Sequence, residues 1–258
     1  MKISIITTTY NSARTIEDTI KSVLNQVGVE VEYIIIDGGS TDGTLKIIEK
    51  FKNLPGQNQL TGQISKIISE PDGGMYEAMN KGIKLATGEV VGILNSDDVY
   101  ADNDVLKKVM AEFEKTGANC IWGDLIYVTD KNLNTPWRIW KSSPYKAGSF
   151  QKGWHPPHPA FFVKREIYEK YGMFRTDLST AGDFELMLRF LEKNKISSSY
   201  IPQTLVRMRT GGQSNKSLYN HLRAIWYSYR AFKLNGLKIS PLFILKKPLS
   251  KINQFKIY

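Results

Sequence analysis

Four acidic positions stand where apolar runs stop: Asp37 in IIIDGGSTDGT, Asp72 in SEPDGG, and the adjacent pair Asp97 and Asp98 in GILNSDDVY. Two carboxylates side by side repel each other and need solvent, a counter-charge or a shared cation. Paired carboxylates that hold Mg2+ or Mn2+ while the ion also takes diphosphate oxygens are a common arrangement, because such ions seldom receive an all-protein cage. The other role open to Asp97 or Asp98 is to cap the helix that follows in SDDVYADNDVL. Asp37 closes a strand-like run, where an acid commonly bonds a ribose or base edge and the glycines after it admit a ligand to the backbone. A solvated turn would use the same residues. Asp72 and two glycines precede a helix start, a place where backbone amides meet an anion or a ribose. Asn80 and Lys81 on that helix come within reach of a phosphate or base, although the surface is the commoner fate of a lysine.

The elements that must position these groups alternate. KISIITTT, VEVEYIIID, QISKIIS and EVVGIL are β-branched, apolar runs. After each comes a helical pattern: SARTIEDTIKSVLNQ with Ile16, Ile20, Val23 and Leu24 on one face, then TDGTLKIIEKF, GMYEAMNKGIKLAT and DNDVLKKVMAEFEK. Such alternation predicts an α/β fold with a Rossmann-like, mostly parallel central sheet flanked by helices. Ligands bind such sheets beyond the carboxyl ends of the strands, so Thr7 to Asn11, Asp37, Glu70 with Asp72, and Asn95 to Asp98 should line one rim. After Lys115 the pattern changes to an antiparallel pair, NCIWGDLIYVT and PWRIWKSSPY. A Pro- and aromatic-rich loop leading into a helix follows, then the helical GDFELMLRFLEKN and the strand-like SSYIPQTLVRMRT. The TTTYNSA turn carries no glycine, which argues against a dinucleotide fold and against a sugar-nucleotide nucleotidyltransferase with a glycine-rich first loop.

The net charge of +10 suggests a nucleic-acid binder until it is located. Eleven of the 35 basic residues and none of the 25 acidic ones fall in residues 205–258. The preceding four fifths are nearly neutral, so a non-enzymatic nucleic-acid-binding role finds no support on the main domain. One cysteine, Cys120, excludes an internal disulfide and a cysteine zinc cluster and fits a reducing compartment. MKISIITTTYN reads as a first strand rather than a signal peptide, and no run reaches the roughly 18 apolar residues of a membrane span.

Taken in order and spacing, SIITTTYNSARTIEDTIKSVLNQ, EYIIIDGGSTDGT, DGGMYEAMNKGIKLATGEVVGILNSDD and AGDFELMLRF resemble the family 2 glycosyltransferases of the GT-A fold. The resemblance covers roughly residues 1–215, divided into a nucleotide-binding half (1–104) and a smaller antiparallel acceptor-side half (105–215). It implies an inverting transferase that uses a nucleoside-diphosphate sugar and a divalent cation, Mn2+ or Mg2+. Carried over by position, Thr8, Tyr10 and Asp37 would hold base and ribose, with Asp72 and Lys81 beside them. Asp98 would be the direct metal ligand, Asp97 a ligand or ribose partner, and Asp183 the general base. Asn95 stands where the family's acidic motif often begins with Asp. It can ligate through its carbonyl but adds no charge.

Inversion needs a base on the sugar face opposite the leaving diphosphate. Asp183 lies just before a helix whose Leu186, Leu188 and Phe190 can pack, although it equally suits an N-cap, and Glu185 is the nearest rival. His158 could supply a metal ligand or contact the diphosphate, and His155 and His158 could equally be structural. Arg207 and Arg209 precede a Gly-Gly turn and could form a lid closing on the diphosphate, or simply face solvent. Residues 216–258 form a basic, amphipathic, helical extension, HLRAIWYSYRAFKLN and SPLFILKKPLSKINQFKIY. Its Leu222, Ile225, Trp226, Tyr229 and Phe232 share a face that either packs on the domain or, with the lysines beyond residue 240, meets an anionic membrane. The expectation is a cytoplasmic enzyme, peripheral on the inner face of the cell membrane. It would move a hexosyl or N-acetylhexosaminyl group from a UDP-sugar to a glycan or lipid-linked acceptor in cell-surface polysaccharide synthesis.

Overall fold

A computed structural model describes residues 1–52, 62–129, 132–210, 218–240 and 243. The strands are β1 (Lys2–Thr9), β2 (Glu30–Asp37), β3 (Ile64–Ser69), β4 (Val90–Ile93), β5 (Asp98–Tyr100), β6 (Cys120–Thr129), β7 (Asn132–Trp140), β8 (Phe161–Lys164) and β9 (Ser198–Arg209). The helices are α1 (Ile16–Leu24), α2 (Thr44–Lys52), α3 (Met75–Leu85), α4 (Val105–Thr116), α5 (Arg165–Tyr171), α6 (Gly182–Leu188) and α7 (Leu218–Leu234). One mixed sheet runs β3-β2-β1-β4-β8-β6-β9-β5, with β7 paired to β6. The first four strands are parallel, and β8 enters antiparallel to both β4 and β6.

The parallel half follows from its composition. Ile3, Ile5, Ile6 and Ile34 to Ile36 are fully buried, as expected for strands covered on both faces. α1, α2 and α4 cover one face, while α3, α5 and α6 cover the other around Trp122, Phe150 and Phe184. Register aligns the strand ends, with Thr9 opposite Asp37 and Asp37 opposite Ser69. β4 stops earlier, at Ile93, and Leu94 still donates its N–H to the Ile6 carbonyl, so Asn95 to Asp98 emerge beside the end of β1. The rim expected from the alternation is therefore formed.

Two short strands depart from the sequence reading. Asp98–Tyr100 pairs antiparallel with β9, and Phe161–Lys164 bridges the parallel and mixed halves from within the segment read as a loop. Runs of three and four residues carry no periodicity to announce them. The capping role is also ruled out for Asp98: it lies in β5, while Asp104 sits at the N-cap of α4 and Asp102 accepts the Asp104 N–H at 2.9 Å.

The opposite end of the sheet holds a buried carboxylate with a structural task. Glu32 accepts the Ser4 hydroxyl at 2.6 Å and the Thr87 N–H at 2.7 Å, with Lys66 at 3.7 Å. Burial alone would raise its pKa, yet the Ser4 and Thr87 hydrogen bonds and Lys2 hold it down at about 2 against an ordinary 4.5. A depressed carboxylate stabilises the fold above its unfolded-state pKa and loses that contribution as pH falls through the folded value. Glu32→Gln should therefore lower the unfolding free energy by about 2 to 3 kcal/mol at neutral pH. The gap to wild type should close as the pH falls from 4.5 to about 2, read by denaturant titration across that range.

Candidate active site

The rim is tied together by side chains of the loops themselves. Asp37 is fully buried, and its oxygens accept the Ser40 N–H at 3.0 Å, the Ser40 hydroxyl, and the Ser69 hydroxyl at 2.7 Å. Asn11, at a left-handed φ of 50°, donates its N–H to the Ser40 hydroxyl and accepts the Thr41 N–H. The Ser12 and Ser96 hydroxyls lie 2.8 Å apart, joining the turn after β1 to the turn before β5. Asp37 thus shapes the rim from beneath, whereas Tyr10 projects from it, 62% exposed, in a position where a base could stack. Thr8 is buried at the end of β1.

Asp72 reaches the same place. A Cβ on Gly38 would stand 2.9 Å from the Asp72 carboxylate, so glycine there permits the approach. The other Asp72 oxygen accepts the Gly74 N–H at 2.8 Å. Lys81 pairs with Glu70 at 2.8 Å and lies 3.7 Å from Glu77, and the Glu70 hydrogen bond is the main cause of its raised pKa. Asn80 takes no part in the rim. Its amide is spent on the backbone of Phe174, donating to the carbonyl and accepting the N–H, both at 2.9 Å, so the expected phosphate or base contact is not open to it.

Among the described residues, the acidic turn gathers buried oxygens without partners. Asp98 is fully buried, and burial, followed by the neighbouring Asp97 charge, pushes its pKa well up against the opposing effects of Asn95 and Arg209. Asn95 donates to one Asp98 oxygen at 3.2 Å. The other Asp98 oxygen and the Asn95 side-chain carbonyl are buried without a hydrogen-bond partner. Buried acceptors without donors are costly, and two of them beside a half-buried carboxylate form an oxygen set that a divalent cation would satisfy.

Arg209 is not a lid residue. It is 5% exposed at the end of β9, donates to the Asp97 carbonyl at 2.9 Å and is ion-paired with Asp18 of α1, which fixes the acidic turn from behind. Arg207 donates to the Asn134 side chain at 2.8 Å. The Gly211–Gly212 turn of the expected lid lies outside the described residues.

A second candidate carboxylate stands at the start of α6. Asp183 is the second residue of α6 rather than its cap, which is Ala181. Its carboxylate accepts the Tyr76 hydroxyl at 3.2 Å, and its N–H donates back to that hydroxyl at 3.3 Å. Gly182 lets the ring in, since a Cβ there would stand 2.7 Å from it, and Phe174 stacks on the other side with centroids 5.5 Å apart. Glu185, the rival base, is excluded by its surroundings. It is 1% exposed, forked onto Arg189 through two 3.0 Å contacts, and accepts the Asn235 amide at 2.9 Å.

His158 belongs with Asp183 rather than with the acidic pair. Burial lowers its pKa and Asp183 opposes that, while its ring stands edge-on to Phe174 at 5.6 Å. No three His, Cys, Asp or Glu side chains converge as metal ligands among the described residues, so the expected grouping of His158 with Asp97 and Asp98 is not formed. His155 is wedged edge-on between Trp140 at 5.0 Å and Phe184 at 5.5 Å, which is a packing role.

Two residues went unread in the sequence. Tyr76 bonds Asp183, and Tyr127 of β6 lies within the electrostatic influence of both Asp98 and Asp183. Burial raises the Tyr127 pKa first, Arg138 stacked 4.0 Å over its ring opposes this, and Asp98 and Asp183 both raise it further. The hydroxyl therefore feels the charge of both carboxylates. Neither tyrosine carried a sequence signal, since each sits in an ordinary apolar pattern.

The family model for glycosyl transferase family 2 matches residues 4–172. The chain belongs to this family. An uncharacterised glycosyltransferase of Mycobacterium tuberculosis is 30% identical over 190 residues, covering 72% of this chain and 68% of that protein. Among solved structures, the 1–349 portion of TarS from S. aureus in complex with UDP-GlcNAc superposes with a TM-score of 0.66 at 19% identity, over 99% of this chain and 78% of that one. The mannosyltransferase PcManGT from Pyrobaculum calidifontis, in complex with GDP-Man and Mn2+, gives 0.67 at 19%, over 96% and 68%. At such identities the likeness establishes the GT-A fold, and the two neighbours carry different nucleotide sugars.

Proposed function

We propose that this glycosyltransferase moves a sugar from a nucleoside-diphosphate sugar, a UDP-hexose or UDP-N-acetylhexosamine, to a hydroxyl of a glycan or lipid-linked acceptor in cell-surface polysaccharide synthesis, inverting the anomeric centre. The observation that carries this reading is the pair of unsatisfied buried oxygens on Asn95 and Asp98, on the rim that also holds Asp37 and Asp72. Asp98, Asp97 and the Asn95 carbonyl would hold a divalent cation, with Asp98 the principal ligand. Bound there, the cation would offset charge on the departing diphosphate.

The chain's own groups supply the rest. Tyr10 and Thr8 bind the base and ribose, and Asp37 keeps their loop in shape through Ser40 and Ser69. Arg209 and Asp18 keep the acidic turn from moving as charge develops on the departing diphosphate. Asp183, oriented by Tyr76, accepts the proton of the acceptor hydroxyl as its oxygen bonds to the anomeric carbon. The bond from that carbon to the diphosphate breaks on the opposite face, and the nucleoside diphosphate departs with the electron pair. The UDP-GlcNAc complex of a structural neighbour supports a uridine donor and the Mn2+ of the other supports a divalent ion.

A panel of UDP- and GDP-sugars read by thermal shift tests the reading. One UDP-sugar at a hundred times its Kd should stabilise the chain by about 2.7 kcal/mol in Mn2+ and by much less in chelator. Equal shifts in metal and chelator, or none with any UDP-sugar, would contradict it.

A further inference from the structure

Helix α7 has two unlike faces. Ser228, Ala231, Phe232 and Asn235 are buried, with Phe232 packed 6.0 Å from Phe184 of α6 and Asn235 bonded to Glu185. Phe243, whose lysine-rich surroundings suggest exposure, is fully buried 5.3 Å from Phe232. This much of the extension is a docked helix. The opposite face, set by the 3.6-residue repeat, carries Arg223, Trp226, Tyr229, Arg230, Lys233 and Leu234. Trp226 is 56% exposed and Leu234 42%, and the Trp226 ring stacks on Tyr229 at 5.8 Å.

We propose that this outward face of α7 is the surface by which the protein seats on an anionic lipid bilayer. An amphipathic aromatic stack beside an exposed leucine suits the boundary between headgroups and acyl chains, and cations around it suit anionic headgroups. Asp177 lies 4.0 Å from Arg230 and partly balances it. Lys233 stands 5.8 Å over the Tyr229 ring, and Arg223 donates to the Tyr227 hydroxyl at 3.1 Å, so both cations flank the aromatic patch. No acidic residue follows Glu192 in the chain, so the excess of positive charge continues through residue 258. A second copy of the chain is a poor occupant, because a two-fold contact would set like charges against each other. No described helix is long and apolar enough to cross a membrane, so the contact lies along the surface.

The test is co-sedimentation of the full chain with vesicles of phosphatidylcholine alone or mixed with phosphatidylglycerol. Binding should appear only with phosphatidylglycerol and weaken with salt. The variant Trp226→Ala/Lys233→Ala/Arg223→Ala should bind at least about thirtyfold more weakly, with unchanged donor binding and at most a small fall in Tm, since all three side chains are exposed, none lies on the rim loops, and Arg223 gives up only its bonds to the Tyr227 hydroxyl. Equal binding to both vesicles or wild-type binding by the triple variant would overturn the proposal. So would retention on single-stranded DNA without sedimentation, or loss through Lys246→Ala/Lys247→Ala while Trp226→Ala has no effect.

Discussion

Asp183→Asn is expected to lower kcat by about three orders of magnitude while leaving donor affinity at the wild-type value. The amide is nearly isosteric and can still accept from the Tyr76 hydroxyl, so the pocket keeps its shape. What it cannot do is take a proton from the acceptor. Single-turnover transfer measured alongside equilibrium donor binding separates the two quantities. A parallel Glu185→Gln change should be felt in stability, because it leaves Arg189 in a buried site without its carboxylate. If Asp183→Asn transfers at the wild-type rate, the base lies elsewhere.

Asp98→Asn carries the opposite signature. Donor binding should lose its dependence on Mn2+, with kcat/KM falling by about a thousandfold. Asp97 cannot replace the lost charge, because Asn95 leaves the turn with only two carboxylates. The metal-free protein should behave differently. Burial raises the Asp98 pKa, so the folded chain holds a proton there that the unfolded chain releases. Its contribution is thus most favourable at low pH and is lost as pH rises above the ordinary carboxylate value. Replacing a carboxyl that the fold must keep protonated by a neutral amide should raise the Tm of the metal-free chain above pH 5 by a few degrees, measured by calorimetry in chelator. A lower Tm, with donor binding still responding to Mn2+, would remove Asp98 from its role.

The parts of this site that could be read from sequence are those carried by strand ends. Asp37, Asp72 and Asp98 each follow an apolar run, and parallel strands deliver such residues to one edge whatever the details of packing. Asp183 came only through resemblance, and its partner Tyr76 lies 107 residues away, a separation no local pattern encodes. Arg209 illustrates the reverse error. Alternation along a strand gives two faces but not what covers them, and here Asp18, 191 residues distant, turns an expected phosphate clamp into a brace for the acidic turn. Asn80 and Lys81 are neighbours on α3, yet one turns inward to the Phe174 backbone and the other outward to Glu70. Phe243 shows that a solitary aromatic among lysines can still be a core residue, because burial depends on the docked helix and not on adjacent composition.

We propose that the Asn95–Asp98 turn holds a cation on which nucleotide binding depends, while Asp183 acts only in the transfer step. Calorimetric titration of UDP into the wild type, Asp98→Asn and Asp183→Asn, each in Mn2+ and in chelator, tests it most directly. Wild type and Asp183→Asn should show the same Mn2+-dependent affinity and Asp98→Asn none. Wild-type affinity unaffected by chelation, or retained in full by Asp98→Asn, would contradict it.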